Sequence, residues 1–147
     1  MDTPLQAGPE RTAETVGTVL LVDDDCLLLE TTSRLLSALG FQVLEAVDGQ
    51  DALDQYQAHR DAICLVIMDI VMPRMDGLEA ARRIRALDPS AKVILSSGFT
   101  DRPITDAAAD AFLPKPYRGR ALCEAIQQVL QGSLKANLLK LGVYGTH

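Results

Sequence analysis

Five short apolar runs, each followed by polar residues and then, in most cases, by a stretch of helical period, constrain this chain more than any other feature. The runs are residues 18–22, 42–46, 63–68, 92–95 and 111–113. Runs of this length, bounded by polar residues, read as buried strands. Between the first two, Leu28, Leu29, Thr32, Leu35, Leu36 and Leu39 fall on one helical face, and Gly40 stands where that helix should end. Leu122, Ile126, Val129 and Leu130 repeat the stripe in the last such segment. Strands that alternate with helices pair in parallel through right-handed crossovers, and the helices then cover both faces of the sheet. The expected fold class is therefore α/β, a five-stranded parallel sheet flanked by helices.

Composition narrows the possibilities further. The chain has 147 residues, about one domain. Aromatic residues make up 4% with no Trp, so the core must come from Leu, Ile, Val and Ala. Fourteen basic against 20 acidic residues give a net charge of −6, which argues against a direct nucleic-acid surface. No apolar run approaches the ~18 residues of a membrane span, and the N-terminus has no signal-peptide pattern, so a cytoplasmic location without membrane insertion is expected. Residues 1–17 lack apolar period and are expected to form a disordered arm or linker, with the domain over 18–131. Residues 132–147 carry only the weak stripe Leu134, Leu138 and Leu141, expected as a tail with at most a short helix. Cys26, Cys64 and Cys123 lie too far apart in sequence for a zinc or redox motif and are expected to be small buried hydrophobes. Neither His59 nor His147 has a partner suggesting a catalytic triad.

In open parallel sheets, ligands bind beyond the carboxyl ends of the strands. Asp23 and Asp24 follow the first run, Asp69 the third, Ser96 and Ser97 the fourth, and Lys115 lies just past the fifth. Crowded carboxylates repel unless a cation sits among them, and an all-oxygen ligand set selects a hard divalent ion such as Mg²⁺. Without a His or Cys nucleophile, this set best serves attack of an aspartate on phosphorus, with the cation and the lysine neutralising phosphoryl charge. Asp25 reads as the cap of the following helix. Arg82, Arg83 and Arg85 read as a solvated face without function.

Read together, the stretches Leu20-Leu21-Val22-Asp23-Asp24-Asp25, Met68-Asp69-Ile70-Val71-Met72-Pro73-Arg74-Met75-Asp76-Gly77 and Phe112-Leu113-Pro114-Lys115-Pro116 resemble the receiver domain of two-component response regulators. The resemblance implies a flavodoxin-like, doubly wound sheet of order 2-1-3-4-5. It makes Asp69 the phosphoacceptor, Asp24 a direct metal ligand, Asp23 a ligand acting largely through water, and the Val71 carbonyl a further ligand. The cofactor would be Mg²⁺ or Mn²⁺. Lys115 would contact the phosphoryl group, Ser97 (rather than Ser96) would be the switch hydroxyl, Phe112 the switch aromatic, and Pro116 would follow a cis peptide bond. The implied partners are a sensor histidine kinase or histidine phosphotransfer protein and a downstream protein.

Two departures from that family's pattern stand out. Between Ser97 and Phe112 the chain is about four residues short, roughly one helical turn, and Pro103 lies inside what remains, so a shortened or broken fourth helix and a monomer or weak dimer are expected. Val71 and Phe99 are apolar two residues beyond Asp69 and Ser97, which implies slow dephosphorylation. The resulting expectation is a phosphorylation-controlled switch that catalyses its own phosphorylation without being a conventional turnover enzyme. A Mg²⁺ phosphohydrolase working through aspartyl phosphate is disfavoured, because Val71 stands where such enzymes place a second acid. A degenerate receiver that binds partners without phosphorylation is the other alternative. With no output domain after Gln131, the chain is expected to be a stand-alone receiver or one taken from a larger kinase or regulator; the wording around Ser96-Ser97-Gly98-Phe99 and Phe112 to Tyr117 resembles receivers of hybrid kinases.

Overall fold

In the computed structural model, which describes residues 17–98 and 107–130, the apolar runs become strands of a single sheet. In chain order the elements are β1 Gly17–Val22, α1 Cys26–Ala38, β2 Phe41–Ala46, α2 Gly49–His59, β3 Ile63–Asp69, α3 Gly77–Leu87, β4 Val93–Ser97, β5 Ala111–Pro114 and α4 Gly119–Leu130. The strand order across the sheet is β2-β1-β3-β4-β5, and every pairing is parallel. This is the 2-1-3-4-5 doubly wound sheet.

The alternation of side chains along each strand divides the core in two. Leu20, Val22, Val66, Met68, Val93 and Leu95 face α2 and α3, where Leu53, Tyr56, Ala80 and Ile84 close over them. Val19, Leu21, Leu65, Ile67, Ile94 and Leu113 face α1 and α4, against Leu29, Leu36, Leu122 and Ile126. Both faces are apolar because both are covered, which is why these strands read as continuous apolar runs and not as alternating ones. The first helix ends as its sequence indicates, with Gly40 at φ +102°, a left-handed conformation that costs glycine little.

Some expectations change. Strand β1 begins at Gly17, one residue earlier than its apolar run. Cys123 is buried and Cys64 partly so, but Cys26 is exposed. Its helix starts just past the end of β1, so the first turn has no apolar sheet beneath it. Arg85 is not part of a solvated face: it bonds the carbonyls of Ala107 and Ala108, each at 3.2 Å, and the Asp110 carboxylate at 2.9 Å, fastening α3 to the segment that enters β5. Arg83 keeps the expected role in an exposed i,i+4 pair with Glu79. The arm, the tail, Phe99, Pro103 and the helix expected between β4 and β5 lie outside the described residues. Among the described residues no helix is long and apolar enough to cross a membrane.

Candidate functional site

The carboxyl edge of the sheet changes abruptly from apolar to acidic. Val22 is 1% exposed, and Asp23, the next residue, is 5% exposed. The chain holds Asp23 there through its N–H, which donates to the Ala46 carbonyl at the end of β2 (3.1 Å). Asp25 caps α1 by accepting from the N–H groups of Leu27 and Leu28 at 3.0 and 3.2 Å, and its own N–H donates to Asp23 Oδ1 at 3.0 Å. The cap thereby fixes both neighbouring acids: Asp23 turns inward and Asp24 is left exposed.

Asp69 ends β3 and is buried. Gly77, at the start of α3, donates to the Ile70 carbonyl at 2.7 Å, and a Cβ at this position would run into the Asp69 carbonyl oxygen. That close approach explains the glycine eight residues after the acid, and the loop between them carries Val71, half exposed beside the site. Lys115 follows β5 directly, and its N–H donates to the Ser97 carbonyl at 3.1 Å. The Lys115–Pro116 peptide bond is cis. From there the ammonium donates to Asp23 Oδ2 at 2.8 Å and lies 3.3 Å from Asp69 Oδ1. Ser96 and Ser97 end β4, both buried, and Phe112 on β5 packs half-buried against the core on the α2–α3 face.

Of the residues singled out from the sequence, Asp23, Asp24, Asp69 and Lys115 meet at one place. Asp23, Asp24 and Asp69 each offer a carboxylate oxygen within 4.8 Å of the others, a set that can hold one divalent cation. Burial pushes the Asp69 carboxyl above the usual carboxylate range, as do the charges of Asp23 and Asp24, while Lys115 pulls it back only in part. Burial alone would lower the Lys115 ammonium, but the hydrogen bond and charge of Asp23, with Asp69 behind it, hold it above its ordinary value. The pocket is thus charged, desolvated and short of positive charge.

Three contacts escaped the sequence. Arg74, at φ +67°, forms an ion pair with the buried Asp48, the acid that caps α2, and the Gly49 N–H donates to the Met75 carbonyl at 3.1 Å. The loop after Asp69 is so fastened to α2. Asp48 is legible as a cap three residues before Asp51, but nothing in the sequence pairs it with an arginine 26 positions away. Tyr117 meets Thr32 Oγ1 at 3.4 Å, linking the segment after Lys115 to α1.

With this geometry in view, the comparisons with known proteins agree. The family model for the response regulator receiver domain matches residues 19–127. The chemotaxis protein CheY of Treponema pallidum is 34% identical over 118 residues, covering 77% of this chain and 82% of that protein. The solved receiver domain of the hybrid histidine kinase CckA is 35% identical with a TM-score of 0.68, covering 78% of this chain and all of that one. CheY in the CheX-CheY-BeF3-Mg complex from Borrelia burgdorferi is 27% identical with a TM-score of 0.70, over 81% of this chain and 90% of that one. The chain belongs to the response regulator receiver family of two-component signalling. It spans only 50% of the length of the transcriptional regulator CpxR of Escherichia coli, to which it is 34% identical.

Proposed function

We propose that this chain is a phosphorylation-controlled switch that accepts a phosphoryl group on Asp69 from the phosphohistidine of a sensor kinase or histidine phosphotransfer protein. The observation that carries the reading is the occurrence together of three carboxylates within 4.8 Å and a lysine in ion pairs with two of them, at the carboxyl edge of a parallel sheet. Asp23, Asp24, Asp69 and the Val71 carbonyl are the groups that would hold Mg²⁺. A cation bound there supplies positive charge to the phosphoryl oxygens.

The rest of the chemistry belongs to the chain. An Asp69 carboxylate oxygen forms the new O–P bond as the N–P bond of the donor breaks, and the electron pair returns to the imidazole, which takes up a proton. Lys115, already 3.3 Å from Asp69, moves onto the phosphoryl oxygens and balances their charge. Ser97, at the end of β4, follows the phosphoryl group with its hydroxyl. Phe112, on the neighbouring β5 opposite Leu95, then turns toward the space vacated and alters the surface offered to a downstream protein. Asp69 is suited to the task because burial among like charges makes its free carboxylate costly, so that a cation bound among the acids relieves a strained electrostatic state, and that cation with Lys115 then meets the negative charge the acyl phosphate adds.

Incubation with a small phosphodonor such as acetyl phosphate and Mg²⁺, followed by intact-protein mass spectrometry, tests this. One added phosphoryl group is expected on the wild type and none on Asp69→Asn. Equal labelling of the two would remove Asp69 from the role.

A further inference from the structure

Ser96 is 2% exposed, yet its hydroxyl finds no hydrogen-bond partner among the described residues. A buried hydroxyl left unpaired carries a desolvation cost with nothing to offset it, so its position asks for an explanation.

That position is specific. Ser96 is the register partner of Asp69 across the β3–β4 pair and of Leu113 across the β4–β5 pair, and the Ile70 N–H donates to its carbonyl at 2.9 Å. Register partners on parallel strands point to the same face about 4.8 Å apart. Lys115 lies two residues beyond Leu113 and so leaves the chain on that face too. Its stem starts beside Gly98, the next position beyond Ser96 on that face, where a Cβ would lie 3.5 Å from the Lys115 Cβ, and to reach Asp69 it must run back across β4 toward the level of Ser96. Ser97, the next residue, points to the opposite face.

The ammonium of Lys115 now lies nearer Asp23, at 2.8 Å, than Asp69, at 3.3 Å. A cation that takes up the charge of Asp23 removes the reason for that preference and releases the lysine toward Asp69. An ammonium has three donors, and a serine hydroxyl accepts one hydrogen bond while donating its own. Resting on the reading of Asp69 as phosphoacceptor, we infer that Ser96 is a positioning residue which receives Lys115 once it leaves Asp23 and holds it against the phosphorylated Asp69. The hydroxyl is unpaired in the present arrangement because its partner is engaged elsewhere. Ser96 thus acts on the loaded state alone, through Lys115, and is separate from the switch hydroxyl Ser97.

The test compares wild type, Ser96→Ala and Ser96→Thr in two measurements: thermal unfolding without ligand, and affinity for beryllofluoride in excess Mg²⁺, read by titration. Ser96→Ala should unfold no earlier than wild type without ligand, since the lost hydroxyl has no partner there. It should bind beryllofluoride about tenfold more weakly, the loss of one hydrogen bond to a charged group. Ser96→Thr, which keeps the hydroxyl, should recover most of that affinity. Unchanged affinity in Ser96→Ala would overturn the inference, as would a matching loss of ligand-free stability, which would make the residue merely structural. If wild type itself bound no beryllofluoride, the failure would lie with the phosphoacceptor reading instead.

Discussion

The middle of the sheet and its carboxyl edge are built from the same strands and follow opposite rules. Within β1, Val19 to Val22 are at most 2% exposed and belong to the two apolar clusters of the core. One residue later the chain buries a carboxylate, and β3 does the same at Asp69. Burial stabilises in the first region, at about 25 cal/mol per Å² of apolar surface, and costs free energy in the second, where like charges share a desolvated pocket. The middle holds the fold together, whereas the edge holds charge in a form that a cation can relieve.

The largest expected effect breaks the favourable side of this comparison. Leu20→Ala empties a fully buried position and should cost about 2–5 kcal/mol in chemical denaturation, while leaving the edge acids in place. A smaller loss belongs to Lys115→Ala, which removes the cation facing Asp23 and Asp69 and should cost about 1–3 kcal/mol. Mg²⁺ should restore part of that loss. Metal titration by calorimetry should show that Lys115→Ala harms Mg²⁺ affinity less than Asp24→Asn does, since only the second removes a ligand charge; the reverse ranking would mean that Asp24 is not a ligand.

The smallest effect has the opposite sign. Because the folded-state carboxyl of Asp69 is raised above its ordinary value of 3.8, the native state binds more protons than the unfolded chain just above that pH. The contribution of Asp69 to stability therefore falls as pH rises from the unfolded value through the raised one. Asp69→Asn removes this penalty and should gain on the order of 1 kcal/mol at neutral pH. Denaturation series at pH 7 and below pH 4 should show the gain at the first and its disappearance at the second. A loss of stability at pH 7 would contradict the account of the edge as a charged, costly region.

Most of this division is legible in the sequence, for a physical reason. Strands covered on both faces must be apolar throughout, so their limits are visible as runs, and the first polar residue past each run falls at the edge. Asp23, Asp69 and Lys115 are found that way, and Asp25 follows from cap chemistry. What the sequence hides are pairings fixed by three-dimensional proximity between distant segments: Arg74 with Asp48, Arg85 with the entry to β5, Tyr117 with Thr32. Ser96 is hidden for another reason. Two adjacent serines look equivalent until the strand register assigns one to each face. Cys26 misleads because residue type alone says buried, while its place in the first turn of α1 says otherwise.

The central claim is that the costly edge exists to receive a phosphoryl group at Asp69. Its most direct test is chemical trapping: treat the protein with a phosphodonor and Mg²⁺, reduce with borohydride, digest and sequence the peptides by mass spectrometry. An acyl phosphate is reduced to the alcohol, so homoserine is expected at position 69, dependent on both phosphodonor and Mg²⁺. Homoserine at Asp23 or Asp24 with none at position 69, or phosphate retained on a serine, would contradict the account.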